Sequence, residues 1–270
     1  MGARIAYLAA GIAVLALLAV LAACATSPFS EPRARWRGEV EQACLARGYV
    51  RTSAYVQRMP PLNGKGSCGL DHPFKVAAVS RDSVAVEPAA TLSCPMIEGL
   101  DRWMATSVQP AAQAYFGSRV VAIRQIASYG CRTRDSVRGA RLSEHAFANA
   151  LDVAGFRLAD GREMTIGGGW WGGPPQQRAF LQTIFAGACR EFYTVLGPGY
   201  NRAHANHFHL DLLLTNGNGG RHVCRPEPSY RGVPMAALPS DGAAPYTVGS
   251  VAKPPLIPFV SKEDEGEEGF

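Results

Sequence analysis

Apolar and polar positions alternate strictly from 207 to 212, with His207, His209 and Asp211 on one side and Phe208, Leu210 and Leu212 on the other. A period of two points successive side chains to opposite faces of a strand. The segment therefore predicts a strand that sends three apolar residues into a core and lines a cleft with three polar ones. Residues 151–156 have the same character, with Asp152 opposite Leu151 and Val153. Ala148 and Ala150 fall on the aspartate's face and are small enough to leave room beside it. Residues 119–129 predict a further strand, whose apolar residues belong to the core.

Elsewhere the period lengthens. Met96, Leu100, Trp103 and Met104 follow Ser93 and Pro95 at helical spacing, and Pro110 is expected to break or kink that helix. Pro174 and Pro175 open another helix, with Phe180, Leu181, Ile184, Phe185 and Phe192 three to four residues apart. Residues 31–48 predict a short helix ending at Gly48. Residues 49–93 carry turn residues and short alternating runs without nameable chemistry. Residues 167–173, glycine-rich around Trp170 and Trp171, predict a loop: either a wall of the cleft with tryptophans stacking on sugar, or a turn with two packed aromatics. It is no phosphate loop, because the Gly-Lys-Ser/Thr ending is missing.

The ends of the chain add a compartment. Arg4 precedes an uncharged apolar run over residues 5–21, which reads as an export signal. The run closes in Leu21-Ala-Ala-Cys24, which resembles a bacterial lipobox. That resemblance implies cleavage before Cys24, lipid on its sulfur and, with Ala25 following, an outer-membrane anchor. The alternative is an uncleaved membrane-spanning helix, for which the run is near the lower length limit. In both cases the remainder faces the periplasm or the exterior. With Cys24 set apart, Cys44, Cys68, Cys94, Cys131, Cys189 and Cys224 form an even set, which in an exported chain predicts three disulfides of undetermined pairing. No C-x2-C pair supports a cysteine-ligated zinc, and no cysteine lies in a recognisable nucleophile context.

The expected organisation is a signal over 1–23, a linker and short helix over 24–43, one domain over 44–224 and a proline-rich acidic tail over 225–270 too poor in large apolar residues to fold. The chain carries 27 basic and 22 acidic residues. The tail holds four basic and seven acidic ones; with Arg4 also set aside, the excess over residues 24–224 is +7. A basic body in the envelope suits an anionic wall polymer or membrane surface. Nucleic acid is not expected there, and no binding motif argues for it.

Four of the six histidines sit in two places, His145 and the group His204, His207, His209. Two imidazoles and a carboxylate are a donor set that suits catalytic zinc, which takes three protein ligands and leaves a position for water. His145, Asp152 and His209 are the expected ligands. Zinc lowers the pKa of water, but a nearby group must still accept and return a proton, and His207 is placed for that. His204 and Ser143 are expected to orient substrate or support the ligands. Asp211 could hold a ligand imidazole in its tautomer or form an ordinary surface ion pair.

The run Ser143-Glu-His145-Ala-Phe-Ala-Asn-Ala-Leu-Asp152 resembles the S-x-H-x-x-G-x-A-x-D motif of the zinc D-alanyl-D-alanine carboxypeptidase and lysostaphin-type superfamily. The text around Cys94, around Cys131-Arg132 and around Gly197-Pro-Gly-Tyr200 resembles the bacterial extensin-like C-terminal domain family, over roughly residues 44–224. The superfamily resemblance implies an α+β fold in which a small antiparallel sheet carries a zinc cleft flanked by helices. It also implies zinc on His145, Asp152 and His209, and Arg132 steadying a substrate carboxylate or the developing oxyanion. The implied activity is envelope-anchored, zinc-dependent hydrolysis of an amide bond in peptidoglycan peptides; the alternative is a non-catalytic wall-binding lipoprotein using the same cleft.

Two positions depart from the motif. Its glycine is Ala148, and Asn206 stands where the carboxypeptidases have a general-base glutamate. The spacing of His204, His207 and His209 is similar instead to penicillin-insensitive murein endopeptidases, which favours His207 as base. No Ser-Pro-Pro-Pro repeat is present, so a structural role in a plant wall is not expected.

Overall fold

The computed structural model describes residues 32–213 and 222–228. The expectations for the signal, for Cys24 and for all but the first residues of the tail lie outside them. Among the described residues, no helix is long and apolar enough to cross a membrane.

Helix α1 (Arg35–Ala46) comes first, followed by three short strands, β1 (Val56–Arg58), β2 (Leu62–Asn63) and β3 (Gly69–Leu70). Two longer strands, β4 (Phe74–Val79) and β5 (Val84–Leu92), form a hairpin. Helix α2 (Cys94–Trp103), a π-helical turn (Met104–Val108) and α3 (Gln109–Phe116) then lead to β6 (Val120–Ala127). This passage returns the chain parallel to β5, the kind of crossover a parallel pair requires. Ser93 caps α2, accepting from the Met96 amide, as its position before Pro95 predicts. Pro110 does not end the helical run: α3 continues directly from helical Val108, and the missing N–H of Pro110 is accommodated by the wider turn before it. The disturbance falls on the preceding π-helical turn.

After β6 come two 3-10 turns (Arg134–Ser136 and Glu144–Phe147), then β7 (Ala150–Leu158) and β8 (Glu163–Thr165). Helices α4 (Ile166–Trp171) and α5 (Pro175–Glu191) precede β9 (Thr194–Leu196). A third 3-10 turn (Arg202–His204), β10 (Phe208–Asp211) and β11 (Val223–Arg225) complete the described chain. The main sheet runs β1-β4-β5-β6-β7-β10-β9-β11, with β8 added on β7.

The expectation of a small antiparallel sheet is corrected on two counts. The sheet has nine strands, and the β5–β6 and β9–β11 pairs are parallel, so it is mixed. The undifferentiated stretch over 49–93 supplies much of this, because β4 and β5 bury Phe74, Val76, Val84, Val86 and Leu92.

The core lies between the helices and one face of the sheet. Leu151, Val153 and Phe156 of β7 and Phe208 and Leu210 of β10 belong to one buried cluster with Trp103, Phe180, Ile184, Phe185 and Phe192. Trp103 packs tilted against Phe156, ring centroids 6.0 Å apart, and donates its indole N–H to the Ile184 carbonyl at 2.9 Å, so this large side chain leaves no buried donor unpaired. The opposite face of β7 and β10 is thereby left to Asp152, His209 and Asp211.

The glycine-rich segment is also corrected. Residues 166–171 form helix α4, capped by Thr165, whose hydroxyl accepts from the Gly168 amide. Gly169 serves packing: a Cβ there would lie 2.7 Å from the Leu181 side chain of α5. The two tryptophans separate, Trp170 buried against Phe185 and Phe208 and Trp171 66 % exposed.

Candidate metal centre

Strand register makes the first contact of the site. In the antiparallel β7–β10 pair, His209 lies directly opposite Asp152, a spacing at which side chains on one face meet. On the other side β6 is irregular: its pairing with β7 shifts near Gln125 and resumes with Ala127 opposite Asp152. Bulges often re-aim side chains beside functional sites.

The third member arrives on a loop. Ser143 caps the 3-10 turn Glu144–Phe147, accepting from the His145 amide at 3.4 Å. Ala148 ends that turn at φ +50°, in the left-handed region, a conformation that glycine adopts without strain. His145 is fully buried. Its Nδ1 lies 2.5 Å from the Ser128 carbonyl, which can only accept, so Nδ1 carries the proton and Nε2 turns inward.

Three atoms then converge. His145 Nε2 is 3.2 Å from Asp152 Oδ1 and 3.2 Å from His209 Nδ1, and His209 Nδ1 is 2.9 Å from Asp152 Oδ1. Two ring nitrogens and a carboxylate oxygen facing one another this closely need a cation between them, either a shared proton or a metal. Ligands about 2.0–2.1 Å from a tetrahedral zinc stand about 3.3 Å apart, so these separations fit the ion. His145, Asp152 and His209 form a group able to hold a metal.

The surroundings hold each of the three side chains in place. His209 Nε2 lies 3.0 Å from Asp211 Oδ2, and the other Asp211 oxygen accepts from the Leu213 amide. Asp211 is buried, in the position of a carboxylate that fixes a ligand imidazole. Burial works against a charge on His209, but its hydrogen bonds to Asp152 and Asp211 outweigh it, and in the metal-free chain its pKa is pushed up to about 9. Burial likewise opposes ionisation of Asp152, yet its bonds with His145 and His209 hold it well below the usual carboxylate range. Arg132 lies 3.5 Å from the second Asp152 oxygen and is partly open to solvent.

His207 and His204 form the next layer. His207 Nε2 is 3.6 Å from Asp152 Oδ1, and its Nδ1 donates to Asn206 Oδ1 at 2.9 Å. Asn206 thus orients the His207 imidazole. Burial, reinforced by His209 and His145 and opposed by Asp152, lowers the His207 pKa, so its Nε2 is free to accept a proton at neutral pH. His204 Nδ1 is 2.7 Å from Asn201 Oδ1, and its pKa falls to about 4, chiefly from burial and then from the charges of His209 and His207.

Sequence reasoning missed three supports. Asn201 had a readable signal, since it stands three residues before His204 and caps that 3-10 turn. The Ser128 carbonyl, being backbone, had none. The third joins distant segments: Arg37 of α1 grips Glu144 with both nitrogens, at 2.9 and 2.8 Å, and lies over the Phe147 ring at 3.5 Å. Glu144 also accepts from Asn149, so the turn that presents His145 is fixed from both sides.

The class defined by this architecture is a mixed α/β domain with a buried His/Asp group suited to a metal. The chain belongs to the family described as Extensin-like protein C-terminus, whose model matches residues 42–225 and so contains every residue of the cluster. Comparison with curated proteins and with solved structures returns no match.

Proposed function

We propose that the protein is an envelope-anchored, zinc-dependent hydrolase that cleaves an amide bond in peptidoglycan peptides, related to the zinc D-alanyl-D-alanine carboxypeptidase and murein endopeptidase superfamily. The observation that carries this is the triangle of His145 Nε2, Asp152 Oδ1 and His209 Nδ1, with an uncharged imidazole, His207, beside it. A zinc ion on those three donors supplies Lewis acidity and an activated water. His207 Nε2 takes the proton of the attacking water and returns it to the departing amine. Arg132, held by Asp152 yet partly open to solvent, offers positive charge to the carbonyl oxygen as it becomes anionic. The proposed location rests on the apolar run over 5–21 and Cys24, which would carry the lipid.

The test begins with metal content. The purified chain should carry about one zinc and the Asp152→Ala variant clearly less, by elemental analysis. The parent is then incubated with purified peptidoglycan beside His207→Ala. New amino groups released by the parent, with loss of turnover but not of zinc in His207→Ala, are the expected result. No zinc in either chain after incubation with the metal overturns the proposal. Zinc with retention of peptidoglycan but no cleavage overturns the catalytic part and leaves a wall-binding lipoprotein.

A further inference from the structure

Between Cys131 and Ser143 the chain leaves the site and returns to it as a small arm. Thr133 and Leu142 form an isolated antiparallel bridge, the Arg134 amide donates to the Arg141 carbonyl at 2.9 Å, and the Ser143 amide donates to the Arg132 carbonyl at 3.0 Å. Thr133 Oγ1 closes the turn by donating to the Val137 carbonyl at 2.7 Å. The base is anchored by the Cys68–Cys131 disulfide and by the bond from the Gly130 amide to the His145 carbonyl. Asp135 accepts from Asn201, which caps the turn bearing His204, so the arm is also tied across to the second histidine segment. It stands directly beside the metal-ligand group.

Its composition is lopsided. Residues 131–142 hold four arginines and a single acid, Asp135. Arg132 faces Asp152, whereas Arg134, Arg138 and Arg141 are exposed and form no ion pair among the described residues; exposed Arg202, next to Asn201, is in the same condition. Arg33, Arg47, Arg102, Arg124, Arg157 and Arg162 are each paired with an acid, and other exposed arginines that form no ion pair among the described residues, such as Arg35, Arg51 and Arg190, are scattered; the arm gathers three within eight residues beside the His/Asp group. Several unpaired guanidiniums held on a tethered arm repel one another, and the arrangement is relieved when carboxylates arrive, which guanidinium forks bind in two-point fashion.

We infer that the arm over residues 131–142, through Arg134, Arg138 and Arg141, binds the free carboxylates of an acidic peptide substrate and makes the site selective for anionic peptides. This rests on the proposed site as the place where substrate lies, but not on its being catalytic. The arm raises the local concentration of anionic ligand and fixes its direction across the proposed site, a contribution to association and selectivity that salt weakens.

The test uses the full chain and a variant carrying Arg134→Gln, Arg138→Gln and Arg141→Gln, all exposed positions. Zinc content equal to the parent's checks that the variant keeps its site. The probes are a fluorescently labelled peptidoglycan stem peptide with free carboxylates and the same peptide with them amidated. At low salt the parent should bind the free acid about tenfold tighter than the amide, the difference shrinking as salt rises, and the variant should bind both alike. A variant that keeps the parent's preference, or a parent that binds neither peptide, overturns the inference. A parent that shows the arginine-dependent preference without turnover overturns the hydrolase proposal and leaves the inference standing. Turnover by the parent with an unchanged preference in the variant does the reverse.

Discussion

At the scale of single residues, the centre is governed by how closely acceptors have been brought together. In the metal-free chain the cation that reconciles them is the proton on His209, whose pKa stands at about 9 against an ordinary 6.5. A raised histidine pKa stabilises the fold fully below the unfolded value, and the contribution is lost as pH rises through the folded one. His204, lowered to about 4, acts in the other window, since the unfolded chain gains its proton first on acidification. The chelator-treated chain should therefore melt highest near pH 6–7 and lose stability both on acidification and on approach to pH 9. In the proposed site zinc displaces the His209 proton, so its affinity should rise steeply with pH up to about 9. Competition with a chromophoric chelator at several pH values measures this, and a flat profile would mean that His209 is not a ligand. Ala148 gives a second prediction. A buried Ala→Gly change ordinarily costs about 1 kcal/mol in lost burial and chain entropy, but at φ +50° glycine also relieves about 1 kcal/mol of strain. Ala148→Gly should come within about 0.5 kcal/mol of the parent in chemical denaturation.

At the scale of elements, legibility followed the physics of each signal. The faces of β7 and β10 could be read because one side of each meets a core and the other does not, so a period of two survives in the sequence. Helix α4 could not, because its three glycines oppose helix formation, and what compensates is tertiary: Gly169 lies tight against α5 and Gly167 against Asn206, contacts invisible in local pattern. The crossover that makes β5 and β6 parallel was missed for a similar reason, since pairing direction depends on where a connection returns. The role of α1 was hidden as well. Arg37 is separated by 107 residues from Glu144, and its side chain is 13 % exposed against 2 % for its partner. Removing one member of a nearly buried pair strands the other. Arg37→Ala should lower stability by about 2–3 kcal/mol and weaken zinc binding by loosening the turn behind His145. Thermal melts with and without zinc separate these effects: a variant whose zinc-induced rise in Tm equals the parent's would show α1 to be stabilising only.

At the scale of the whole molecule, three cross-links hold together what the sheet order separates. Cys44–Cys94 ties α1 to α2, Cys68–Cys131 ties the segment before β3 to the base of the arginine arm, and Cys189–Cys224 ties α5 to β11. The six cysteines left once Cys24 is set aside announced three bridges but not their pairing, which depends on distances that only the fold supplies. Each closes a long loop, of 50, 63 and 35 residues respectively, for which the chain-entropy model gives roughly 4 kcal/mol apiece. Their positions make the consequences differ. Cys189–Cys224 joins the outer end of the sheet to a helix on the side away from Asp152, so the Cys189→Ala, Cys224→Ala double variant should lose about 3–4 kcal/mol while holding zinc as the parent does. Cys68–Cys131 lies at the base of the arm and one residue from Arg132, and Gly130 beside it bonds to His145. The Cys68→Ala, Cys131→Ala pair should lose comparable stability and, in addition, several-fold in zinc affinity, because the segment that sets Arg132 and backs His145 is released. Denaturant midpoints and chelator competition on both double variants decide the matter: equal zinc affinity in the two would mean that the second bridge stabilises the fold without ordering the metal centre.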